Sequence, residues 1–598
     1  MILFLLTSLF CAAPVWAQSV DAAAMYKQRC AICHNESLPR APALEVMRER
    51  STESIMTALV SGAMRVQGAK LSGVERRAIA EFITGKKIAG DPTGSATGRC
   101  TSRPPFTNLS SRPLWNGWSP TSNNMRLMTA QQAGLTAAQV PNLKLKWAFG
   151  FPDATLAWSQ PSVAAGRVFV GSHNGTVFSL DAASGCIYWT FSAQGGVRTA
   201  VSIGPREGAT GSAVYFGDTN ANVYALDAST GEKLWVRQVE THALARVTGS
   251  PTLYRNRLYV PLSSYEEAMG ASADYECCTF RGSLAALDTR TGAIVWKTYT
   301  IPDEPKPRGK SSTGKTLYGP SGAAIWSAPT VDAKRRVVYV ATGNTYSDPP
   351  QPASDAVISF DMATGKMVWT RQATPNDTFI IGCRSGSTNP NCPEKSGPDH
   401  DFGNAPILAS HVGRDVIVIG QKSGVGYALD PDNKGQILWQ YRAGEGGALG
   451  GIEWGSAADG ENAYFPVSDI SRPKPGGLHA VNLKSGERAW FTPAPAPVCG
   501  TPGRGCNGAQ SAAISVLPGV VFSGSNDGAL RAYSTKDGAI IWEFNTNRPF
   551  QTVNGIAATG GSMQGPGPAI GGGMVYVNAG YGAFGGRPGN VLLAFGLE

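Results

Sequence analysis

Two cysteines and a histidine stand at a spacing that suits the covalent attachment of haem. The run Cys30-Ala31-Ile32-Cys33-His34 follows a helix-forming stretch that begins near Ala22. Two thiols at this spacing can form thioethers with the vinyl groups of a haem, and the adjacent imidazole can ligate the iron. A redox-active dithiol is the alternative for C-x-x-C, but it needs neither His34 nor a helix before the motif. We therefore predict a covalent haem c on Cys30 and Cys33, with His34 as an iron ligand.

The second iron ligand is expected on a loop further along the chain. Met64 is the best candidate, because it precedes a helix that Ser72 and Glu75 open as a capping box. Met47 and Met56 are alternatives, but both lie in helical-looking segments, where methionine usually packs in a core. Ligation by histidine and methionine raises the potential of the haem and favours electron transfer.

The first residues of the chain have the composition of a secretory signal peptide. Residues 2–16 are almost all apolar and lead to the small residue Ala17. A membrane anchor is the alternative, but this run is short for a span of about 20 residues. We predict a signal peptide over residues 1–17, a periplasmic or secreted protein, and no transmembrane span.

Export decides how the eleven cysteines are interpreted, because oxidising compartments preserve disulfides. Three pairs are candidates for bridges: Cys383 with Cys392, Cys499 with Cys506, and the remaining Cys100 with Cys186. Adjacent Cα atoms lie about 3.8 Å apart, which is below the usual disulfide range of about 4.4–6.8 Å. For the neighbours Cys277 and Cys278, a mutual bridge, free thiols and separate disulfides therefore all stay open.

Most of the remaining chain repeats one pattern: an apolar strand ending in Asp or Asn, a turn with Gly, and a strand with Trp. The Asp or Asn starts a tight turn, the Gly takes a positive φ, and the Trp packs between neighbouring repeats. Repeats of this size leave room for about four strands each, which is the size of a propeller blade. The seven copies carry Trp189, Trp235, Trp296, Trp369, Trp439, Trp490 and Trp542.

Two complementary half-copies stand near the ends of this region. Lys144–Ala148 has the Trp strand without the preceding strand, and Val591–Phe595 has the preceding strand without the Trp strand. Pairing the two halves completes an eighth blade and removes the exposed edges of the ring, whereas an open solenoid would not need matching halves.

These elements predict the architecture of the whole chain. A small all-α domain over residues 18–90 resembles the class I cytochromes c. A linker rich in Pro, Gly, Ser and Thr follows over residues 91–113. Residues 114–598 are predicted to form an all-β, eight-bladed β-propeller.

The repeat over Ala225–Trp235 resembles the tryptophan-docking repeat of the dehydrogenases that use pyrroloquinoline quinone (PQQ). Non-catalytic propeller proteins share this repeat, so the site residues must decide the function. Three segments resemble the calcium and quinone ligands of the methanol-dehydrogenase-like members, and they contain Glu276, Asn344 and Asp401. The resemblance implies Ca²⁺ held by these three residues, with Asp401 also as the catalytic base. Lanthanide-dependent relatives carry a further carboxylate where this chain has Gly403, so calcium is favoured.

Other positions match groups that surround the quinone in the same family, although ordinary propeller packing is the alternative for each. The candidates are Trp326 for the floor under the quinone ring, Arg198, Thr248 and Lys422 for its carboxylates and carbonyls, and Trp454 for the wall. An adjacent cysteine pair stacks on the quinone in this family, but on a different segment. Cys277 and Cys278 are therefore candidates for contact with the quinone, although they lie on a different segment from the cysteine pair of the family.

The resemblance implies a quinohaemoprotein alcohol dehydrogenase that passes electrons from PQQ through haem to an external acceptor, such as a cytochrome c or a respiratory component. Members that oxidise polyvinyl alcohol also carry the haem domain first, and they resemble this chain at Trp115–Trp118, Asn123, Asn124 and Arg126. Secondary or polymeric alcohols are therefore the predicted substrates. A dehydrogenase for small alcohols or sugars and a non-enzymatic binding propeller are the alternatives.

The charge of the chain speaks against nucleic acid as a partner. The formal net charge is +9, from 52 Lys and Arg against 43 Asp and Glu. This excess is modest for 598 residues, and no run of five basic residues occurs.

Overall fold

The structure is a computed structural model that describes residues 20–34, 41–60, 63–68, 70–88, 94–107, 109, 114–384, 386–500, 503 and 505–598. It contains an N-terminal helical unit and a ring of eight β-sheets. The predicted signal peptide over residues 1–17 and parts of the predicted linker lie outside the described residues. Within them, no helix is long and apolar enough to cross a membrane.

The helical unit is built around one apolar core. Its helices are Ala22–Arg29, Leu44–Arg48, Thr52–Val60, Arg65–Gly68 and Gly73–Thr84. The predicted capping box is present, since the side chain of Ser72 accepts from the backbone of Glu75 and the carboxylate of Glu75 accepts from the backbone of Ser72. The rings of Tyr26 and Phe82 meet at 5.5 Å, which joins the first helix to the last.

The eight blades are antiparallel sheets that follow one another along the chain. Blade 1 consists of Ser162–Ala164, Arg167–Gly171, Thr176–Asp181 and Ile187–Ser192, and blade 2 of Ser202–Pro205, Ser212–Gly217, Asn222–Asp227 and Lys233–Gln238. Blade 3 consists of Thr252–Tyr254, Arg257–Ser264, Ser283–Asp288 and Ile294–Tyr299, and blade 4 of Thr330–Asp332, Val337–Ala341, Ala356–Asp361 and Met367–Gln372. Blade 5 consists of Ile407–His411, Arg414–Gly420, Val425–Asp430 and Gln436–Arg442, and blade 6 of Ala457–Ala458, Asn462–Pro466, Leu478–Asn482 and Arg488–Thr492. Blade 7 consists of Ser515–Leu517, Val520–Gly524, Ala529–Ser534 and Ile540–Asn545, and blade 8 of Ala569–Gly571, Met574–Ala579, Val591–Gly596 and Lys144–Gly150.

Shorter elements decorate this ring. Leu114–Trp115 extends blade 1, Ala245–Arg246 extends blade 3, and three small pairs join Lys306–Lys310 to Thr316–Gly319, Ser321–Gly322 to Thr345–Ser347, and Pro549–Phe550 to Ala558–Thr559. The short helices are Ala130–Ala133, Glu266–Met269 and the 3₁₀ turn Val140–Asn142.

The eighth blade closes the ring as predicted, because its strands come from both ends of the propeller. Lys144–Gly150 pairs with Val591–Gly596, with Lys144 opposite Gly596 and Gly150 opposite Val591. The indole of Trp542, on blade 7, donates to the carbonyl of Leu143 next to this strand.

The repeated Trp joins each blade to the next one. The indole of Trp189, for example, donates to the carbonyl of Ala228 at 3.0 Å, and its ring covers Gly231. Gly231 has φ +79, and a Cβ there would stand 2.7 Å from the indole. The turn therefore needs glycine both for its backbone conformation and for its contact with the ring.

Antiparallel blades in the same orientation bring two kinds of connection to one end of the ring. The loops after the second strands and the links from each fourth strand to the next blade share this end. We call it the loop face.

The segment predicted to be a linker is held against the propeller. Cys100 is disulfide-bonded to Cys186 of blade 1, and the hydroxyl of Thr97 donates to the carbonyl of Asn554. Phe106 is buried under the guanidinium of Arg167.

Replacing Gly231 by Ala should destabilise the propeller by about 1–3 kcal/mol, because the new Cβ meets both a strained φ and the Trp189 ring. Gly211→Ala is the matched control, since Gly211 has φ +90 but no atom within 4 Å of a Cβ. Urea unfolding should show a larger loss for Gly231→Ala. Equal losses would mean that the tryptophan contact contributes nothing beyond the turn.

Candidate active site

A buried ion pair marks the centre of the loop face. Lys422 follows the second strand of blade 5, and its Nζ lies 2.9 Å from Asp399 Oδ1 and 3.1 Å from Asp401 Oδ2. The backbone N–H of Asn344 donates to Asp401 Oδ1 at 2.7 Å. Both oxygens of Asp401 are thus held in fixed positions.

Carboxylates outnumber the cation at this place. Glu267, Asp355 and Asp377 lie close enough to interact electrostatically with Asp401, as Asp399 does. Burial alone would lower the pKa of Lys422, but the neighbouring carboxylates raise it well above its ordinary value. Burial and the charge of Asp401 raise the pKa of Glu267 to about 7. The cluster is short of positive charge, which suits a bound cation.

Asn344 offers an oxygen for that cation. Its side-chain Nδ2 donates to the carbonyls of Thr345 and Phe379 at 2.6 Å each. Its Oδ1 is buried, and no group among the described residues donates a hydrogen bond to it. A buried acceptor left without a donor costs about 1–3 kcal/mol, and a hard cation such as Ca²⁺ would satisfy it.

The prediction that Glu276 is a metal ligand is wrong in this structure. Glu276 is exposed to solvent, and its carboxylate accepts from the backbone of Thr316. The carboxylate that lies with Asp401 and Lys422 belongs to Glu267. Its neighbour Glu266 is fully buried and accepts hydrogen bonds from Tyr275, Thr279 and Phe280, so it holds the segment that contains Glu276.

The position of Glu267 carries a signal that the sequence analysis missed. Glu267 follows the second strand of blade 3, which ends at Ser264, and Asn344 follows the second strand of blade 4, which ends at Ala341. Both residues thus stand three places after equivalent strands. Aligning the repeats by their second strands would have selected Glu267.

A narrow cavity walled by tryptophans lies beside the ion pair. It is lined by the predicted residues Arg198, Thr248, Trp326 and Trp454, together with Trp118, Trp158 and Ser327, which sequence reasoning missed. The Arg198 guanidinium stacks 4.2 Å from the centre of the Trp454 ring, and Lys422 Nζ lies 5.6 Å from the centre of the Trp326 ring. The structure thus brings these predicted residues together.

The cavity contains hydrogen-bond donors that have no acceptor. Arg198 Nη2, Trp158 Nε1 and Ser327 Oγ are buried, and none of them finds a partner within the described part of the chain. Flat aromatic walls with unsatisfied donors fit a planar ligand that carries carboxylates, as PQQ does.

The adjacent cysteines are bonded to each other but lie away from this cavity. Cys277 and Cys278 form a disulfide, and both are buried in an apolar cluster with Phe280, Tyr346 and Ile380. They do not line the tryptophan cavity. The predicted contact of this pair with a quinone is therefore not supported by the structure.

The three other candidate pairs of cysteines form disulfides. Cys100–Cys186, Cys383–Cys392 and Cys499–Cys506 are disulfides. Within the described residues, Cys30 and Cys33 alone are free thiols.

The helical unit contains the four residues that were predicted to bind haem: Cys30, Cys33, His34 and Met64. His34 is buried, and its Nδ1 lies 2.7 Å from the carbonyl of Pro42, which leaves Nε2 for a metal. Met64 packs against the apolar core of the unit together with Cys30. A fixed imidazole, a thioether on the core of the same unit and two free thiols fit a covalently bound haem.

The helical unit contacts the loop face next to the tryptophan cavity. The backbone N–H of Gly73 donates to the carbonyl of Asn174, and Arg76 Nη2 donates to the carbonyl of His173 at 2.8 Å. The His173 ring meets the ring of Trp158 at 4.5 Å in a T-shaped contact. Because Trp158 lines the cavity, the two units are connected by a short chain of packed side chains.

Comparison with known proteins supports the fold and identifies the family. A family model described as outer membrane protein assembly factor BamB matches residues 117–377 and 281–504. The fold is similar to that of quinohaemoprotein alcohol dehydrogenase ADHIIG from Pseudomonas putida HK5, at a TM-score of 0.60 and 17% identity over 81% of this chain and 80% of that chain. The quinohaemoprotein alcohol dehydrogenase from Comamonas testosteroni gives a TM-score of 0.57 at 19% identity, again over 81% and 80%.

Two relatives match along almost their whole length. A polyvinylalcohol dehydrogenase from a Pseudomonas species is 42% identical over 97% of this chain and 94% of its own. A polyvinylalcohol dehydrogenase from Sphingopyxis sp. (strain 113P3) is 40% identical over 97% of this chain and 93% of its own. The chain therefore belongs to the polyvinylalcohol dehydrogenase family, among the PQQ-dependent quinohaemoprotein alcohol dehydrogenases.

Proposed function

We propose that this protein is a periplasmic or secreted quinohaemoprotein that oxidises secondary and polymeric alcohols such as polyvinyl alcohol, and that passes the electrons to an external acceptor. PQQ would lie on the ring of Trp326, with Trp454 at the wall and with Arg198 and Thr248 at its polar edge. Ca²⁺ would be held by Glu267, Asn344 and Asp401. The observation that carries the proposal is the Oδ1 of Asn344, which has no donor among the described residues and lies beside the Asp401–Lys422 pair.

The chain's own residues supply the acid–base part of the reaction. When bound, PQQ would supply the hydride acceptor for the alcohol carbon, and Ca²⁺ would supply the Lewis acid that makes it electrophilic. Asp401 accepts the hydroxyl proton of the alcohol at its carboxylate, as a general base. Lys422 and the backbone of Asn344 hold that carboxylate in place.

The helical unit supplies the exit for electrons in this proposal. Cys30 and Cys33 would bind haem covalently, and His34 and Met64 would ligate its iron. His173 and Trp158 lie between this unit and the cavity. Burial lowers the pKa of His173 well below its usual range, so its imidazole is neutral at this contact.

Replacing Asp401 by Asn should reduce alcohol oxidation about 10²- to 10⁴-fold, because the general base is lost. Glu267→Gln should weaken calcium binding roughly tenfold or more, since the charge of the ligands sets the affinity. Turnover of a secondary alcohol and calorimetric titration with calcium measure the two effects. Glu276→Gln is the matched control and should change neither. Loss of calcium binding in Glu276→Gln but not in Glu267→Gln would contradict the ligand set.

Replacing Cys30 and Cys33 together by Ser should leave a protein without covalently attached haem, because both thioethers are lost. Haem staining of the denatured protein on a gel measures the attachment. Haem that stays attached in the double variant would refute the assignment.

Replacing His173 by Ala should slow the reduction of the haem by alcohol several-fold, because it opens a gap between Trp158 and the helical unit. His173→Phe keeps a ring there and should restore most of the rate. Stopped-flow absorbance of the haem gives the rate, and a dye that takes electrons from the quinone directly gives the activity that bypasses the haem. His411→Ala, at a half-buried histidine on the first strand of blade 5, is the control. An equal loss of dye-linked activity in His173→Ala would show that the change acts on the quinone site instead.

A further inference from the structure

A wide groove crosses the loop face over blades 5 to 8. Its volume is about 1380 Å³. Its walls come from Arg442–Glu445, Asp469–Gly476, Phe491–Pro497, Asn507–Gly508 and Phe584–Gly585. Ligand pockets for drug-sized molecules measure about 300–1,000 Å³, so this groove is larger than any small alcohol requires.

Hydrogen bonds and ring contacts join the walls of the groove to the surroundings of the active centre on two sides. On one side, the backbone of Gly447 donates to the carbonyl of Lys422, and Arg442 donates to the carbonyl of Ser423. On the other side, the ring of Phe584 stacks on Tyr581, and the Tyr581 ring contacts Trp454 of the cavity wall. The walls of the groove therefore pack directly against the residues that surround the active centre.

Its surface presents apolar and aromatic groups to solvent. The exposed fractions are 41% for Phe491 and 49% for Phe584, and these are two of the three exposed phenylalanines in the part of the chain that the structure describes. Phe491 is stacked on His479 at 4.2 Å, which fixes its orientation. Five prolines join them along the walls: Pro473, Pro475, Pro493, Pro495 and Pro497. Rigid apolar groups of this kind bind a flexible chain at a low entropic cost.

Most of the charged side chains in the groove form hydrogen bonds with the backbone of its own loops. Arg442 donates to the carbonyls of Ser423 and Gly444, and Arg472 donates to the carbonyl of Gly446. Asp469 accepts three backbone N–H groups, from Glu445, Gly446 and Gly451. A groove whose charges are already engaged favours a neutral ligand over a polyanion.

We propose that this groove binds a segment of a neutral, polyhydroxylated chain while one of its carbinol carbons lies at Asp401. The inference rests on the proposed function and adds a binding site for the polymer to it. Methylene groups of the chain would pack on Phe491, Phe584 and the prolines, and hydroxyl groups would bond to the loop carbonyls and to Asn507.

The test compares polymer and small-alcohol kinetics in the holoenzyme. Phe491→Ala and Phe584→Ala should each raise the KM for long polyvinyl alcohol about five- to tenfold, since each removes one aromatic contact. The kcat for the polymer and the kcat/KM for a small secondary alcohol should stay unchanged. With polymers of increasing length, the wild type should gain affinity until the chain fills the groove, and the double variant should lose this dependence on length.

Leu234→Ala is the control, because Leu234 is an exposed apolar side chain on the outer strand of blade 2. It should behave like the wild type on all substrates. The proposed role of the groove would be overturned if the double variant kept the wild-type KM for the polymer, or if it lost polymer and small-alcohol activity alike. Either result would leave the proposed function in place. A wild type that oxidises no alcohol would overturn the proposed function and the groove with it.

Discussion

The strand Lys144–Gly150 finds its sheet only by pairing with Val591–Gly596, and this pairing holds the eight blades in a ring. Each blade is only marginally stable by itself, because the tryptophan of the neighbouring blade covers part of its surface. In a closed ring every blade has two neighbours, so the same contact is made at each boundary without a free edge. Closure also fixes the orientation of the blades, and it thereby brings Glu267, Asn344 and Lys422 to one face from three separate blades.

The loop face contains a group of buried charges that is unusual for a protein interior. Several buried carboxylates surround a single lysine, and removing such groups from water is costly unless they are paired. Lys422 satisfies Asp399 and Asp401, while Asn344 Oδ1 is left without a donor among the described residues. A bound cation would satisfy this oxygen and balance the remaining charge.

The repeats predicted more of the fold than of the site. The spacing of Gly and Trp predicted eight blades and the closing strand, because these residues make contacts within the repeat or with its neighbour. Family resemblance also selected Asn344, Asp401 and Lys422, which the structure brings together. Family resemblance selected Glu276 as a metal ligand instead of Glu267, because the local similarity of a segment does not show which of two nearby carboxylates points inward. Glu266 holds that segment by hydrogen bonds to its backbone, and this fact is visible only in three dimensions. The contact of Arg76 with His173 could not be predicted either, since it joins two units that share no sequence pattern.

In the proposed function, the arrangement of the two units separates the binding place of the substrate from the path of the electrons. The segment around Cys100 ties the helical unit to blade 1, and the unit covers the loop face at His173 and Asn174. The groove lies over blades 5 to 8, with Phe491 and Phe584 on its walls. A polymer bound there would reach Asp401 from the side of Lys422, while electrons would leave past Trp158 on the side of the helical unit. Under both proposals, a large substrate would stay bound through repeated oxidations without blocking the route by which electrons leave.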